Sequence, residues 1–207
     1  MREAWAKNQY LTPVNIVMVL INVVSYFVLE AIGDTTDALF MYAHGAMYPV
    51  AVLAGGQHYR LITSAFIHFG LPHLINNMIL MICLGSYVER ALGKIRYLIL
   101  YLACAVGSSM ASMFHMIYSG DWAVSGGASG VVFGIIGALL FLVVKNRGRF
   151  ADLSWKRFLI MMLLALYFGF ATAGVDNAAH VGGLIIGFVM GAIFFLLEKI
   201  FSFLRRL

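Results

Sequence analysis

The chain predicts an all-α, polytopic membrane protein: one bundle of six transmembrane helices. Three observations carry this. The first is composition: of 207 residues, 62% are hydrophobic and 11% charged, against about 45–50% and about 25% in soluble domains. The mean hydropathy is +0.92. The second is that the apolar residues gather into six stretches, 13–31, 72–88, 97–118, 128–144, 158–175 and 178–197, near the roughly 20 residues a helix needs to cross hydrocarbon. The third is charge: of the 14 Lys and Arg residues, all but Arg60 fall on one side of such an arrangement. That asymmetry is the positive-inside pattern of a cytoplasmic face. Both termini are therefore expected in the cytoplasm, with segment 32–71 outside. Six spans and their loops nearly exhaust the chain, so a single domain over 1–207 is expected, with no separate soluble domain.

The elements follow in order. The first apolar run ends at Leu29-Glu30-Ala31-Ile32-Gly33-Asp34, without a small-x-small cleavage site, so it reads as a retained span. Segment 32–71 is too long for a turn and too apolar for a solvated loop. Phe40, Met41, Tyr42, Met47 and Tyr48 predict short pieces lying in the membrane interface. Spans four and six carry a serine and a histidine in glycine-rich settings, span two carries His73 and Asn77, and several spans are short enough that some helix ends should lie inside the slab. The formal charge of +5 is accounted for by the cytoplasmic bias, and no nucleic-acid-reading motif accompanies it. Cys83 and Cys104 sit in apolar stretches and read as reduced packing residues. No His-Glu-x-x-His helix is present, and neither metal nor cofactor is expected.

The cytoplasmic charges serve as rulers for depth. Ser129 lies 16 residues before Lys145, His180 18 before Glu198, His73 16 before Glu89 and Asn77 12 before it. At 1.5 Å per residue these side chains sit roughly 18–27 Å above the cytoplasmic side, within a hydrocarbon core about 30 Å thick. Four polar side chains from three helices thus share one layer in the outer half of the membrane, which requires a water-accessible cavity opening outward. Polar groups at this depth are costly and mark function. A hydroxyl beside an imidazole is the minimum for nucleophilic catalysis.

Ser129 falls in the first turn of span four, where backbone N–H groups are unpaired and the helix dipole is positive. Gly126, Gly127 and Gly130 allow a sharp turn and close approach. His73 and Asn77, four apart, share a face and can donate to a developing negative charge; Asn76 also fits by spacing. His180, Gly183, Gly187 and Gly191 fall on one narrow stripe, and its three glycines repeat a small-xxx-small pattern that suits close helix contact, with span four as the expected partner. Each feature has a plainer reading. A membrane serine often bonds to its own helix, a buried histidine often bonds across helices, and glycines often only pack. Their coincidence in depth and context favours chemistry. Asp176, four before His180, reads as a helix N-cap rather than a triad acid, which leaves a Ser–His dyad. His44, His58, His68 and His115 read as loop or interfacial residues, with His68 a candidate support.

These residues resemble the rhomboid family of intramembrane serine proteases over nearly the whole chain. Gly127-Ala128-Ser129-Gly130 is similar to the family's Gly-x-Ser-Gly motif, and Ala179-His180-Val181-Gly182-Gly183-Leu184-Ile185-Ile186-Gly187 to its Ala-His-x-x-Gly-x-x-x-Gly motif. His73 to Asn77 resembles its His-x-x-x-Asn motif, which selects Asn77 over Asn76. Gly85 to Glu89 resembles its Gly-x-x-x-Glu stretch, and Tyr59-Arg60 its Trp-Arg pair. The resemblance implies a six-helix core, a Ser129–His180 dyad, and an oxyanion hole from Asn77, His73 and the Ser129 backbone. It implies that span five and the loop after it gate lateral access of single-pass transmembrane substrates. Phe133 stands where many members carry a Tyr stacked on the histidine; a phenyl ring can stack in the same way but offers no hydroxyl. The supporting residues are then Gly127, Gly130 and Phe133, and the expected partners are transmembrane protein substrates and the lipid bilayer. The minimal form suggests a bacterial cytoplasmic membrane. The alternative is a non-cutting binder or transporter with a polar intramembrane cavity; no hydropathy repeat of the transporter kind is evident.

Overall fold

The computed structural model describes residues 11–150, 153–156, 159–160, 162–163 and 174–205. Among them the chain forms α1 (Pro13–Ile32), three short helices in the first long connection, α2 (Ala38–Ala43), α3 (Pro49–Leu53) and α4 (Arg60–Thr63), then α5 (Leu71–Leu80) and α6 (Ser86–Leu92) joined by a π-helical segment at Met81–Gly85. There follow α7 (Lys94–Ser119), α8 (Ser129–Lys145), a two-residue antiparallel pair of β1 (Arg149–Phe150) and β2 (Leu153–Ser154), and α9 (Asn177–Leu204). Pro13–Ile32, Leu71–Leu92, Lys94–Ser119 and Asn177–Leu204 are long and apolar enough to cross a membrane. The span expected at 158–175, and with it the expected gate, lies largely outside the described residues.

Helix α8 is the axis of the bundle. Every residue from Gly130 to Leu139 is buried, as an all-round apolar helix requires, and it packs between α7 and α9. At 17 residues it is about 26 Å long, shorter than the ~30 Å hydrocarbon core. Backbone contact with α9 is direct. A Cβ on Gly187 would lie 2.5 Å from the Gly134 carbonyl carbon, and one on Gly137 would lie 2.9 Å from the Leu184 carbonyl carbon. The glycines of the two helices therefore face each other. Helix α9 runs on past Glu198 to Leu204; the charges there end the apolar run without ending the helix, since Glu and Lys are good helix formers.

The start of α1 is held by the end of α6. Glu89, 3% exposed, accepts the N–H of Val14 at 3.1 Å and of Asn15 at 2.7 Å. These are first-turn donors with no partner in their own helix. The Asn15 side chain donates to the Met81 carbonyl at 3.0 Å and accepts from Tyr97 Oη at 2.7 Å, so it serves a carbonyl at the start of the π-helical segment. Glu89→Ala removes the acceptor of two N–H groups and is expected to cost about 2–4 kcal/mol, read as a lowered Tm in detergent. Glu89→Gln, which keeps one acceptor, should cost less.

Segment 32–71 is organised around a buried cation. Arg60 donates to the Tyr42 carbonyl at 2.6 Å, the Ala46 carbonyl at 2.7 Å and Gln57 Oε1 at 2.6 Å. Its guanidinium lies 4.7 Å from the Tyr42 ring centre and 5.6 Å from that of Tyr59. The segment is tied to the stretch before α8 by a bridge, Met47 N–H to the Ser125 carbonyl at 2.8 Å and Ser125 N–H to the Met47 carbonyl at 2.9 Å.

Candidate active site

The turn that delivers Ser129 to the first position of α8 is built from small residues for a steric reason. Gly127 has φ +130°, a conformation that disfavours any Cβ, and a Cβ there would lie 2.6 Å from His73 Cε1. The imidazole of His73, in the first turn of α5, thus lies against the backbone two residues before Ser129. Gly127 N–H is taken by the Ser64 carbonyl at 2.8 Å. The next N–H, of Ala128, donates to His68 Nε2 at 3.3 Å, which places the His68 proton on Nδ1. The His68 and His73 rings meet edge to face at 5.2 Å. Ala128 offers α8 no side-chain cap, so the N–H groups of the first turn lack partners within the helix.

Asn77 is buried and Asn76 exposed. Asn77 Nδ2 donates to the His73 carbonyl at 3.1 Å, and the amide keeps a second N–H. His180 enters from the first turn of α9, 6% exposed, with its ring stacked on Phe133 at 4.2 Å and 14°. Phe133 is one turn below Ser129, so α8 supplies both the hydroxyl and the surface against which the imidazole rests. The two helix starts are close: a Cβ on Gly130 would lie 3.5 Å from the Ala179 carbonyl oxygen. No hydrogen bond joins Ser129 to His180, and His180 Nδ1 has no partner among the described residues.

The structure thus brings Phe133 against His180 and Gly130 beside the start of α9, with Ser129 at the first position of α8 and Gly127 in the turn before it. His73 joins them through Gly127, and Asn77 is linked to His73. His68, read from sequence only as a candidate support, is fully buried and bonded to the turn itself; no spacing rule connects it to Ala128. Asp176 caps α9, its Oδ1 accepting from Ala179 N–H at 2.9 Å.

The family model described as Rhomboid domain matches residues 55–197. The chain is 35% identical over 174 residues to "Rhomboid protease GluP" of Bacillus subtilis (strain 168), covering 84% of this chain and 33% of that protein. It is 35% identical over 153 residues to "RHOMBOID-like protein 6, mitochondrial" of Arabidopsis thaliana, covering 72% and 48%. With "Rhomboid protease GlpG" of Salmonella paratyphi A (strain ATCC 9150 / SARB42) it shares 27% over 180 residues, covering 86% and 62%. The chain thus spans less than two thirds of the length of each of these relatives. With its apolar helices, the match makes this an integral, multi-pass membrane protein, and the chain belongs to the rhomboid family.

Proposed function

We propose that the chain is an intramembrane serine endopeptidase that hydrolyses a peptide bond in or near the transmembrane segment of single-pass membrane proteins. The observation that carries this is the meeting of two helix starts: a serine on the uncapped first turn of α8, and a buried histidine on the first turn of α9 stacked one turn below it. The relatives named as proteases support the same reading.

A substrate helix unwinds locally at the site, and Ser129 Oγ attacks a carbonyl carbon as the His180 imidazole takes the hydroxyl proton. The oxyanion is met by the Ser129 N–H, His73 and the second amide N–H of Asn77, donors held in place before charge develops. His180 then protonates the leaving amine, and water completes hydrolysis of the acyl-enzyme through the same imidazole. The open Ser129–His180 geometry is consistent with this, because catalytic hydrogen bonds often tighten only once substrate is bound. The positive-inside bias supports cytoplasmic termini and a site opening to the outer side.

Labelling of the detergent-purified protein by a fluorophosphonate probe tests the reading. Wild type should label and Ser129→Ala should not. A folded wild type that stays unlabelled would sink it.

A further inference from the structure

We propose that Asp176 is a positioning residue, a carboxylate clasp that sets His180 against Ser129. The inference rests on the endopeptidase reading and goes beyond it. A helix N-cap needs one side-chain oxygen, and Oδ1 of Asp176 fills that role at Ala179 N–H. Its other oxygen is committed elsewhere. Oδ2 accepts from Ser125 Oγ at 2.6 Å and from Ser112 Oγ. Ser112 is fully buried on α7, and Ser125 is held by its bridge to Met47.

One carboxylate thus joins the outer part of α7, the stretch feeding α8 and the first turn of α9. The two active-site strands of the chain are gripped at equal distance: Ser125 is four residues before Ser129, and Asp176 four before His180. Releasing Oδ2 leaves the glycine packing of α8 on α9 in place but removes the tie that sets the segment entering α8 against the first turn of α9, where hydroxyl and imidazole must meet. Asp176 does not act as the third member of a triad, since both its oxygens are engaged by Ser112, Ser125 and Ala179 and His180 Nδ1 has no partner among the described residues. Hydrogen bonds to a carboxylate are about twice as strong as neutral ones, which suits a clasp that must hold while a substrate is admitted.

The test is the rate of fluorophosphonate labelling per folded molecule in detergent. Asp176→Ala should label about 10- to 100-fold more slowly, the effect of a misplacement on the order of 1 Å. Asp176→Asn can still cap α9 and hydrogen-bond both serines once their hydroxyls turn, and should restore most of the rate. Asn15→Ala, which weakens the bundle near the start of α1, should lower Tm but leave the rate per folded molecule unchanged. That contrast separates positioning from general stability. If Asp176→Ala does not fold, the Ser112→Ala/Ser125→Ala double variant keeps the α9 cap and should show the same slowing. Labelling of a folded clasp variant at the wild-type rate overturns the proposal, as does an Asp176→Asn variant as slow as Asp176→Ala. An unlabelled folded wild type fails the endopeptidase reading itself, and this role with it.

Discussion

Replacing Ser129 or His180 with alanine is expected to slow cleavage by roughly 10⁴-fold or more, and replacing both is expected to do no further harm. The suitable substrate is a single-pass transmembrane reporter with small residues and helix-weak sequence near its outer end. In the proposed mechanism the hydroxyl and the imidazole act as one device. Without the imidazole, Oγ keeps its proton during attack; without the hydroxyl, the imidazole has nothing to activate. Effects that add in the double variant would mean that the two side chains work independently, and would count against the dyad. Phe133 predicts a graded companion effect. Its ring supports His180 at 4.2 Å, so Phe133→Ala should slow cleavage well short of the His180→Ala loss.

Gly187→Val should be the most damaging single change to the fold. A Cβ at Gly187 would lie 2.5 Å from the Gly134 carbonyl carbon and 2.7 Å from its Cα. Both are backbone atoms of the central helix and cannot rotate aside. The α8–α9 contact must open along its length, with loss of the close packing that small residues allow. The expected cost is about 3 kcal/mol or more, seen as collapse of Tm or of monodisperse yield in detergent. Gly191→Ala provides the contrast, because its Cβ would meet the Phe141 ring and side chain at 3.1–3.3 Å, and a side chain can yield by a few tenths of an ångström. Equal damage from the two changes would refute the account of which glycines are in backbone contact.

Much of this architecture is legible in the sequence because hydrocarbon imposes a simple rule on it. The apolar runs read at 97–118 and 128–144 coincide with helices α7 (Lys94–Ser119) and α8 (Ser129–Lys145), the second of them shorter than the helices long enough to cross a membrane, since apolar runs and glycine turns bound them sharply. The facing glycines of α8 and α9 are legible for the same reason, as a stripe of small residues has few other uses. What hides from sequence is polar wiring between distant segments. Glu89 looks like a charge that ends a span, yet it caps α1, 74 residues away at Asn15. Asp176 reads correctly as a cap, but its links to Ser112 and Ser125, 64 and 51 residues earlier, follow from no local pattern. His68 is one of several outer histidines by position, and only the folded turn shows it meeting Ala128.

The π-helical segment at Met81–Gly85 has a consequence for how span two could vary. His73 and Glu89 are 16 residues apart, which in an unbroken α-helix would put them about 160° apart around the axis. A π-bulge absorbs one residue without advancing the turn, which closes that angle to roughly 60°. Both ends of the span can then aim inward, one at the Ser129 turn and the other at α1. The bulge acts as a phase corrector between two fixed addresses, so the length of this helix is not freely adjustable. A one-residue insertion or deletion between His73 and Glu89 is tolerable only if the bulge is doubled or erased to match.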